Sequence, residues 1–378
     1  MSNLEHQKGL NEVVINKVQR MIENKQTGVR ETIGRLTREG RIAQDYIAPI
    51  GVELRKGQQT PVITFRNDGE LIMNMPNGQF TLHDNAVGQF AEKMNVPTGY
   101  LRELARGDEW QKHLAAIVLN EHSSWTGRQR VLIRSVGTEV RGVLSDSYRR
   151  LNSVMILTAF IEEASRQGAV VADAKMTDTK IWTETILPMP ITIPTQKNGE
   201  VIIFMGARFS TSDYGDGAVD MRAFLLNGAC LNGMVRESVM KQIHLGARLP
   251  DNLQLSNKTY ELDTQTTVSA VSDLTKSLFS REAIMQKAIE IQGASNIDVD
   301  FDTELKKLVK VGSLQKSECE GVQKILMHNH YDDGMQGDST LWKLTQAITA
   351  HGRELDASRS RELHELSGVL MNRVKISA

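Results

Sequence analysis

The chain has 378 residues, with 45 Lys and Arg against 46 Asp and Glu, which gives a formal net charge of −1. A near-neutral chain binds a polyanion only if its basic residues are placed unevenly. The sequence has no apolar run of the roughly 18 to 20 residues that a membrane span needs, and its N-terminus lacks the apolar core of a signal peptide. We therefore expect a cytoplasmic protein without membrane contact. The two cysteines, Cys230 and Cys319, lack the spacing of a zinc site or a disulfide framework.

Basic residues are concentrated in two stretches. Between Lys17 and Arg41 seven Lys or Arg stand against three Glu, and between Arg128 and Arg150 six Arg stand against Glu139 and Asp146. Each stretch carries a net charge of +4. Both are candidates for contact with an anionic ligand.

Taken in chain order, the N-terminal region predicts helices and then short strands. Helical spacing of apolar residues predicts one helix over 10–24 and a second one after Gly28 that ends at Gly40. From residue 50, segments separated by Gly57, Asp68-Gly69 and Asn77-Gly78 predict a small β-meander. Residues 82–105 predict two helices around Asn95-Val96-Pro97. They could form a DNA-reading helix-turn-helix, but only Arg102 and Arg106 would reach bases, so simple packing is favoured.

The central region predicts an antiparallel sheet with a packed helix. RVLIRS (130–135) and EVRGVLS (139–145) form a hairpin around Val136-Gly137-Thr138, and Asn152 or Ser153 caps the next helix. Three strands follow over 176–187, 200–211 and 218–227, and Asn227-Gly228 and Asn232-Gly233 indicate a corner into a helix. From residue 257 the pattern predicts four helices, the last broken near 356–358. The fold class is α+β, with an N-terminal helical region (1–45), an α+β core (46–255) and a helical domain (256–378).

The hairpin arginines are the main candidate site. A period of two places Arg130 and Arg134 on one strand face, with Arg141 on the neighbouring strand. Together with Arg128, Arg149 and Arg150 they would hold the phosphates of a nucleic acid, while Trp125, Tyr148 and Trp182 would stack on unpaired bases. This interpretation requires guanidinium groups that project together into water. The alternative is that they pair with acidic residues such as Glu162, Glu163 or Asp146.

Two further clusters are weaker metal candidates. HNHYDD places His328, His330, Asp332 and Asp333 within six residues, although a helix end followed by a loop explains the same composition. SDYGDG contributes Asp213 and Asp216, with Asp220 nearby, and a glycine-rich turn between strands accounts for it. No phosphate-cradling loop, nucleophile elbow or zincin motif is present.

Several segments carry a family resemblance. RVLIRSVGTEVRGVLSDSYRRLN, YGDGAVDMRAFLLNGACLNGMV, IHLGARL and LWKLTQAIT resemble a phage- and plasmid-like family catalogued as a domain of unknown function, over roughly residues 80 to 350. That family has an R-x-x-G-x-x-x-R-x-x-x-S-x-x-Y core and a C-x-N-G-M segment. The resemblance implies a phage or mobile-element origin, and therefore the cytoplasm of a host cell, without implying a chemistry.

The leading hypothesis is an ATP-independent protein that binds single-stranded DNA and could also anneal it. It would act as a homo-oligomer, without a cofactor or a covalent step, in the manner of single-strand annealing proteins of recombination, which are similar in outline. Two alternatives stay open. One is a metal-dependent nuclease or hydrolase using His328, His330, Asp332 and Asp333, and the other is a protein-protein module such as an inhibitor of host defence.

Overall fold

The computed structural model describes residues 2–51, 62–125, 129–146, 148, 151–228, 231, 233–242, 256–328 and 337–374. The helices are α1 Ser2–Ile42, α2 Asp84–Lys93, α3 Thr98–Arg106, α4 Glu109–Trp125, α5 Ser153–Arg166, α6 Asn257–Leu278, α7 Arg281–Asn296, α8 Phe301–Lys310, α9 Lys316–His328, α10 Leu341–Gly352 and α11 Ala357–Met371. The strands are β1 Ala43–Ile50, β2 Thr64–Asn67, β3 Leu71–Met75, β4 Gly78–Leu82, β5 Gln129–Val136, β6 Glu139–Ser145, β7 Val170–Met176, β8 Ile181–Ile186, β9 Ile191–Pro194, β10 Glu200–Thr211, β11 Val219–Asn227 and β12 Gly233–Gln242.

The α+β class is confirmed, and the strands form two sheets. The first sheet has the order β1-β5-β6-β4-β3-β2, with one parallel pair between β4 and β6. The second has the order β12-β11-β10-β8-β7, with β9 paired to β10, and is antiparallel throughout.

None of the described helices is both long and apolar enough to cross a membrane.

The N-terminal region is one helix of 41 residues, so the prediction of two helices separated at Gly28 is wrong. Val14, Val18, Val29 and Leu36 are buried and share one stripe of the helical surface across that glycine. Burial of this stripe outweighs the cost of about 1 kcal/mol for a glycine inside a helix. Gly28 has open space around it, so nothing there forces the chain to bend.

One face of the first sheet packs against α2, α3 and α4. Phe65, Met73, Phe90, Leu101 and Ile133 are among the residues of this core. The meander is confirmed over β2, β3 and β4, while Gly57 lies outside the described residues.

Helices α2 and α3 pack against each other, as expected in preference to a DNA-reading unit. Arg102 and Arg106, the two residues that could have reached bases, both form ion pairs with Asp84 at the start of α2. Their guanidinium groups therefore stabilise the helix pair.

The hairpin β5–β6 is confirmed, with Gly137 at φ 60° in the turn. Its register shifts next to Arg134, which pairs with Gly142, whereas Ser135 pairs with Val140. Arg141 is therefore the extra residue of a β-bulge, a feature that redirects a side chain from the alternation of the strand.

The second sheet is covered on both faces. One face packs against α5 and α6 through residues such as Phe160 and Phe209, and against the C-terminal helices through residues such as Met205 and Trp342. The opposite face meets the first half of α1 around Val18 and Phe204.

Four strands and one helix were missed, and one helix was predicted in error. The unexpected elements are β1, β7, β9, β12 and α4, and the corner after Asn227 leads into β12 instead of a helix. Phe279 and Ser280 separate α6 from α7 where one long helix was expected, because the Ser280 side chain caps the N-terminus of α7. The break expected near residues 356–358 is confirmed, with Asp356 as the cap of α11.

Candidate functional site

Arg134 does not project into solvent, so that expectation is wrong for this residue. It is 9% exposed, and its Nε and Nη2 atoms donate to the two carboxylate oxygens of Asp45 at 2.7 and 2.8 Å. Asp45 lies directly opposite Arg134 on β1. The Nη1 atom donates to the backbone oxygen of Asp213 at 3.0 Å. The guanidinium group thus joins β1 and β5 of the first sheet to the β10–β11 connection.

Arg141 is 8% exposed and is neutralised by two carboxylates, so the same expectation is wrong here too. Its Nη1 donates to Glu39 and its Nε donates to Glu139, both at 2.7 Å. The Nη1 atom also donates to the backbone oxygen of Asp178. The bulge turns this side chain toward the end of α1, where a long side chain can meet Glu39.

The other described members of the hairpin cluster differ in exposure. Arg130 lies 3.6 Å from the carboxylate of Asp146, one of the partners that the alternative interpretation named. Tyr148 is buried, and its hydroxyl donates to the backbone oxygen of Ser212. Trp125 is 73% exposed at the end of α4. Arg128, Arg149 and Arg150 lie outside the described residues, so nucleic-acid contact through them stays a prediction.

Of the two metal candidates, the structure describes the SDYGDG turn but not the HNHYDD cluster. Within the described ranges no group of three or more His, Cys, Asp or Glu is arranged to hold a metal ion. The side chain of His328 and all of His330, Asp332 and Asp333 lie outside those ranges. Asp213 accepts from Ser153 at 2.6 Å, Asp216 from Thr179 at 2.7 Å and Asp220 from Arg222 at 2.6 Å, so protein donors already occupy the carboxylates of the SDYGDG turn.

A different group of basic residues meets at a cavity on the second sheet, which we call the basic cavity. Its volume is about 280 Å³, and it lies between α1, the sheet and the start of α11. Its lining residues are Met21, Lys25, Ala172, Asp173, Lys175, Glu184, Arg208, Phe224, Leu226, Leu231, Gly233, Arg353, Leu355, Ser360, Arg361 and His364. Five of these side chains are cationic and two are carboxylates, so the described part of the lining carries a formal surplus of three positive charges when His364 is neutral.

Arg208 on β10 has a donor without an acceptor. The residue is 4% exposed and lies opposite Glu184 of β8, whose Oε1 accepts from its Nε at 2.9 Å and also from its Nη2. Its Nη1 atom is buried and has no hydrogen-bond partner in the described part of the chain. An unsatisfied buried donor of a charged group costs at least about 1–3 kcal/mol, and at the wall of a cavity a bound ligand can remove that cost.

Arg361 and His364 of α11 face Arg208. The guanidinium carbon of Arg361 lies 3.9 Å from the ring centre of Trp182, which holds the cation beside the cavity. Burial, together with the charge of Arg208, lowers the pKa of Arg361 to about 10. Burial and the charges of Arg208 and Arg361 lower the pKa of His364 to about 3. His364 is therefore neutral at pH 7, and its Nε2 also has no hydrogen-bond partner within the described residues.

Leu231 lines the cavity in a strained backbone conformation. Its φ is 56°, a region that costs a non-glycine residue roughly 1 kcal/mol or more. Its backbone N–H donates to the oxygen of Asn227 at 2.8 Å, which fixes the connection between β11 and β12. Strain of this kind at a cavity wall is a second sign of a functional site.

An open groove continues from the basic cavity along α1, and we call it the α1 groove. Met21, Lys25 and Leu231 belong to both. Its lining residues are Val13, Asn16, Lys17, Arg20, Met21, Asn24, Lys25 and Leu231, around a volume of about 720 Å³. Lys17, Arg20 and Lys25 come from the first basic stretch of the sequence, so that part of the charge asymmetry is grouped on one surface.

The comparisons with known proteins add no relative. No family model matches the chain, and searches of the curated proteins and of the solved structures find no match. The resemblance to the phage- and plasmid-like family therefore stays an expectation.

The sequence analysis did not identify Arg208, Arg361 and His364, which line the basic cavity. Arg208 lies in the apolar strand VIIFMGARFST, and Arg361 and His364 lie in a helix rich in charged residues. A cation within an apolar strand was the available signal, because a buried arginine needs an acidic partner or a ligand. Whether a buried arginine has an acidic partner or a ligand depends on residues that are distant in the sequence and close in the fold.

Proposed function

We propose that this chain binds single-stranded nucleic acid, with the strand lying in the α1 groove and reaching the basic cavity. The proposal keeps the function expected from the sequence but places it on a different surface. It rests on one observation, the continuity of a groove lined by Lys17, Arg20 and Lys25 with a cavity that carries excess positive charge.

The groove offers two kinds of contact. Lys17 and Arg20 are exposed and lie three residues apart, so they share one helix face and can meet successive phosphates. Val13, Met21 and Leu231 provide an apolar side against which unpaired bases can pack. A single strand presents phosphates and bases together, whereas a duplex hides its bases.

The test is the salt dependence of binding to a short labelled oligodeoxynucleotide, followed by fluorescence anisotropy. For a single strand the log–log slope is about −0.7 per phosphate contact, so the double change Lys17→Ala with Arg20→Ala should reduce its magnitude by about 1.4. The matched control is Arg30→Ala with Arg38→Ala, which removes the same charge from exposed positions of α1 outside the groove.

Two results would count against the proposal. Salt-independent or absent association would remove the function altogether. An equal loss of slope in the control pair would show that the whole helix attracts the strand and that the groove is not its site.

A further inference from the structure

We infer that the basic cavity is a site for a phosphomonoester dianion, which on the proposed function is the terminal phosphate of the bound strand. The inference rests on the proposed function only for the identity of the molecule to which the phosphate is attached. The assignment of a phosphate site is supported by the unsatisfied donor of Arg208, the surplus of positive charge and the size of the cavity.

The donor geometry calls for an anionic oxygen. Arg208 uses Nε and Nη2 on Glu184, and its Nη2 also lies 3.3 Å from Nδ1 of His364. The remaining Nη1 is buried and has no acceptor among the described residues, so an oxygen that enters the cavity would satisfy it. Phosphate oxygens are strong acceptors for a planar guanidinium group, and charge-assisted hydrogen bonds are roughly twice as strong as neutral ones.

The charge favours a dianion over a monoanion. The two carboxylates of the lining already have cationic partners, Asp173 with Lys25 at 2.8 Å and Glu184 with Arg208. Among the described lining residues, five cations stand against these two carboxylates. A phosphomonoester carries about −1.5 to −2 at pH 7, whereas each internal phosphodiester carries only −1, so a terminal phosphate offsets more of this charge.

The size favours an end of the strand over its interior. The cavity volume of about 280 Å³ lies just below the range of about 300–1,000 Å³ for drug-sized ligands. It holds a phosphate and part of the attached sugar, while the larger α1 groove holds the nucleotides that follow. Leu231 lines both spaces, so its strained backbone forms part of the boundary between them.

The experiment compares one oligonucleotide sequence in three forms, with a 5′-phosphate, with a 3′-phosphate and with neither. Competition against a labelled strand should show one phosphorylated form binding about tenfold more tightly than the unphosphorylated form, a difference of about 1.4 kcal/mol. Equal affinity of all three forms, with the salt dependence retained, would overturn the terminal-phosphate site and leave the proposed function intact.

Two variants test the residues. Arg361→Gln removes the cation beside Trp182, and Arg208→Lys keeps a positive charge for Glu184 while removing the planar second donor. Both should bring the ratio between phosphorylated and unphosphorylated forms close to one. Arg66→Gln is the matched control, since Arg66 is an exposed arginine on the first sheet, and it should keep the wild-type ratio. Unchanged ratios in both cavity variants would overturn the assignment.

Inorganic phosphate separates the two proposals if no strand binds. Phosphate that raises the melting temperature of the wild-type chain and of Arg66→Gln, but not of Arg361→Gln, would support the cavity while removing the nucleic-acid function. Absence of any phosphate effect together with absence of strand binding would remove both.

Discussion

At the scale of single residues, Arg141 and Arg208 are both buried cations, but they differ in their partners. Arg141 has two carboxylates, Glu39 and Glu139, each 2.7 Å away. Arg208 has one, Glu184, and a donor left over. Arg141 therefore stabilises the fold, whereas Arg208 keeps one donor atom available for a ligand.

The Arg141 cluster gives a prediction about stability. Arg141→Met removes the cation that Glu39 and Glu139 share and leaves Glu39 with Arg35 alone among the described cations, so the free energy of unfolding should fall by about 3 kcal/mol. Urea denaturation measures the loss, and adding Glu39→Gln should restore part of it. If Arg141 instead bound the strand, Arg141→Met would reduce the salt slope of oligonucleotide binding, which we expect to stay at its wild-type value.

The sequence predicted which arginines cluster in the chain but not which of them face solvent. Arg130 and Arg134 share a strand face as the alternation required, yet that face meets the β10–β11 connection. A Cβ on Gly142, opposite Arg134, would lie 3.2 Å from the Cα of Tyr214. Val131, Leu132 and Ile133 are three consecutive apolar residues, a pattern typical of a strand covered on both faces, and they were the signal for burial.

At the scale of elements, an ion pair between buried Glu318 and partly exposed Arg359 joins α9 to α11. Glu318 accepts from Nε and Nη2 of Arg359, both at 2.7 Å, and from the backbone N–H of Gln315 at 2.8 Å. The hydrogen bonds from Arg359 hold the pKa of Glu318 below its usual value, with His351 of α10 as a minor cationic neighbour when protonated.

This ion pair predicts a pH dependence with a definite sign. A carboxylate whose folded pKa is lowered stabilises the fold above its unfolded pKa of about 4.3, and that contribution is lost as the pH falls through the folded value. Arg359→Gln should therefore lower the free energy of unfolding by about 1–3 kcal/mol at pH 7, since Glu318 is buried but Arg359 is partly exposed. Urea denaturation should show the gap to wild type narrowing below about pH 4. A gap that stays constant with pH would mean that Glu318 does not mediate the effect.

Helices and strands were predicted correctly where the spacing of apolar residues matched the face that is buried. They were predicted wrongly where a glycine or an Asn-Gly step suggested a boundary that the tertiary packing does not produce. The hairpin and α5 follow from alternation, a glycine turn and an Asn152 cap. Gly28 suggested a helix end, but the apolar stripe of α1 continues through it. The Asn-Gly steps at 227 and 232 suggested a corner into a helix, but β12 returns along β11 with a register shift that the sequence does not mark.

At the scale of the whole molecule, the β10–β11 connection ties the two sheets together. The backbone oxygen of Tyr214 accepts from Asn85 Nδ2 at 3.0 Å and from Gln89 Nε2 at 2.8 Å. Gln89 also accepts from the backbone N–H of Val143 at 2.6 Å, and Asn85 donates to the oxygen of Arg141. The turn that resembled a metal loop in sequence therefore serves as a joint.

The joint predicts how the molecule opens. Asn85→Ala with Gln89→Ala removes these hydrogen bonds and leaves buried backbone groups unsatisfied, at about 1–3 kcal/mol for each group. Hydrogen exchange should then show faster opening of β5 and β6, while β10 and β11 keep their protection. The control Asn67→Ala removes a hydrogen bond to Glu109 away from the joint and should leave the exchange of β5 and β6 unchanged. A uniform increase across both sheets would contradict a local joint.

The length of α1 has one more consequence. A helix of 41 residues extends about 60 Å at 1.5 Å per residue, so it behaves as a stiff rod. Its middle part carries Lys17, Arg20 and Lys25, and its C-terminal end holds Glu39 against Arg141 of the other sheet. A sideways displacement of the middle of α1 must either bend the helix or move Glu39 away from Arg141. A ligand bound near Lys25 can therefore affect the β5–β6 hairpin without contacting it.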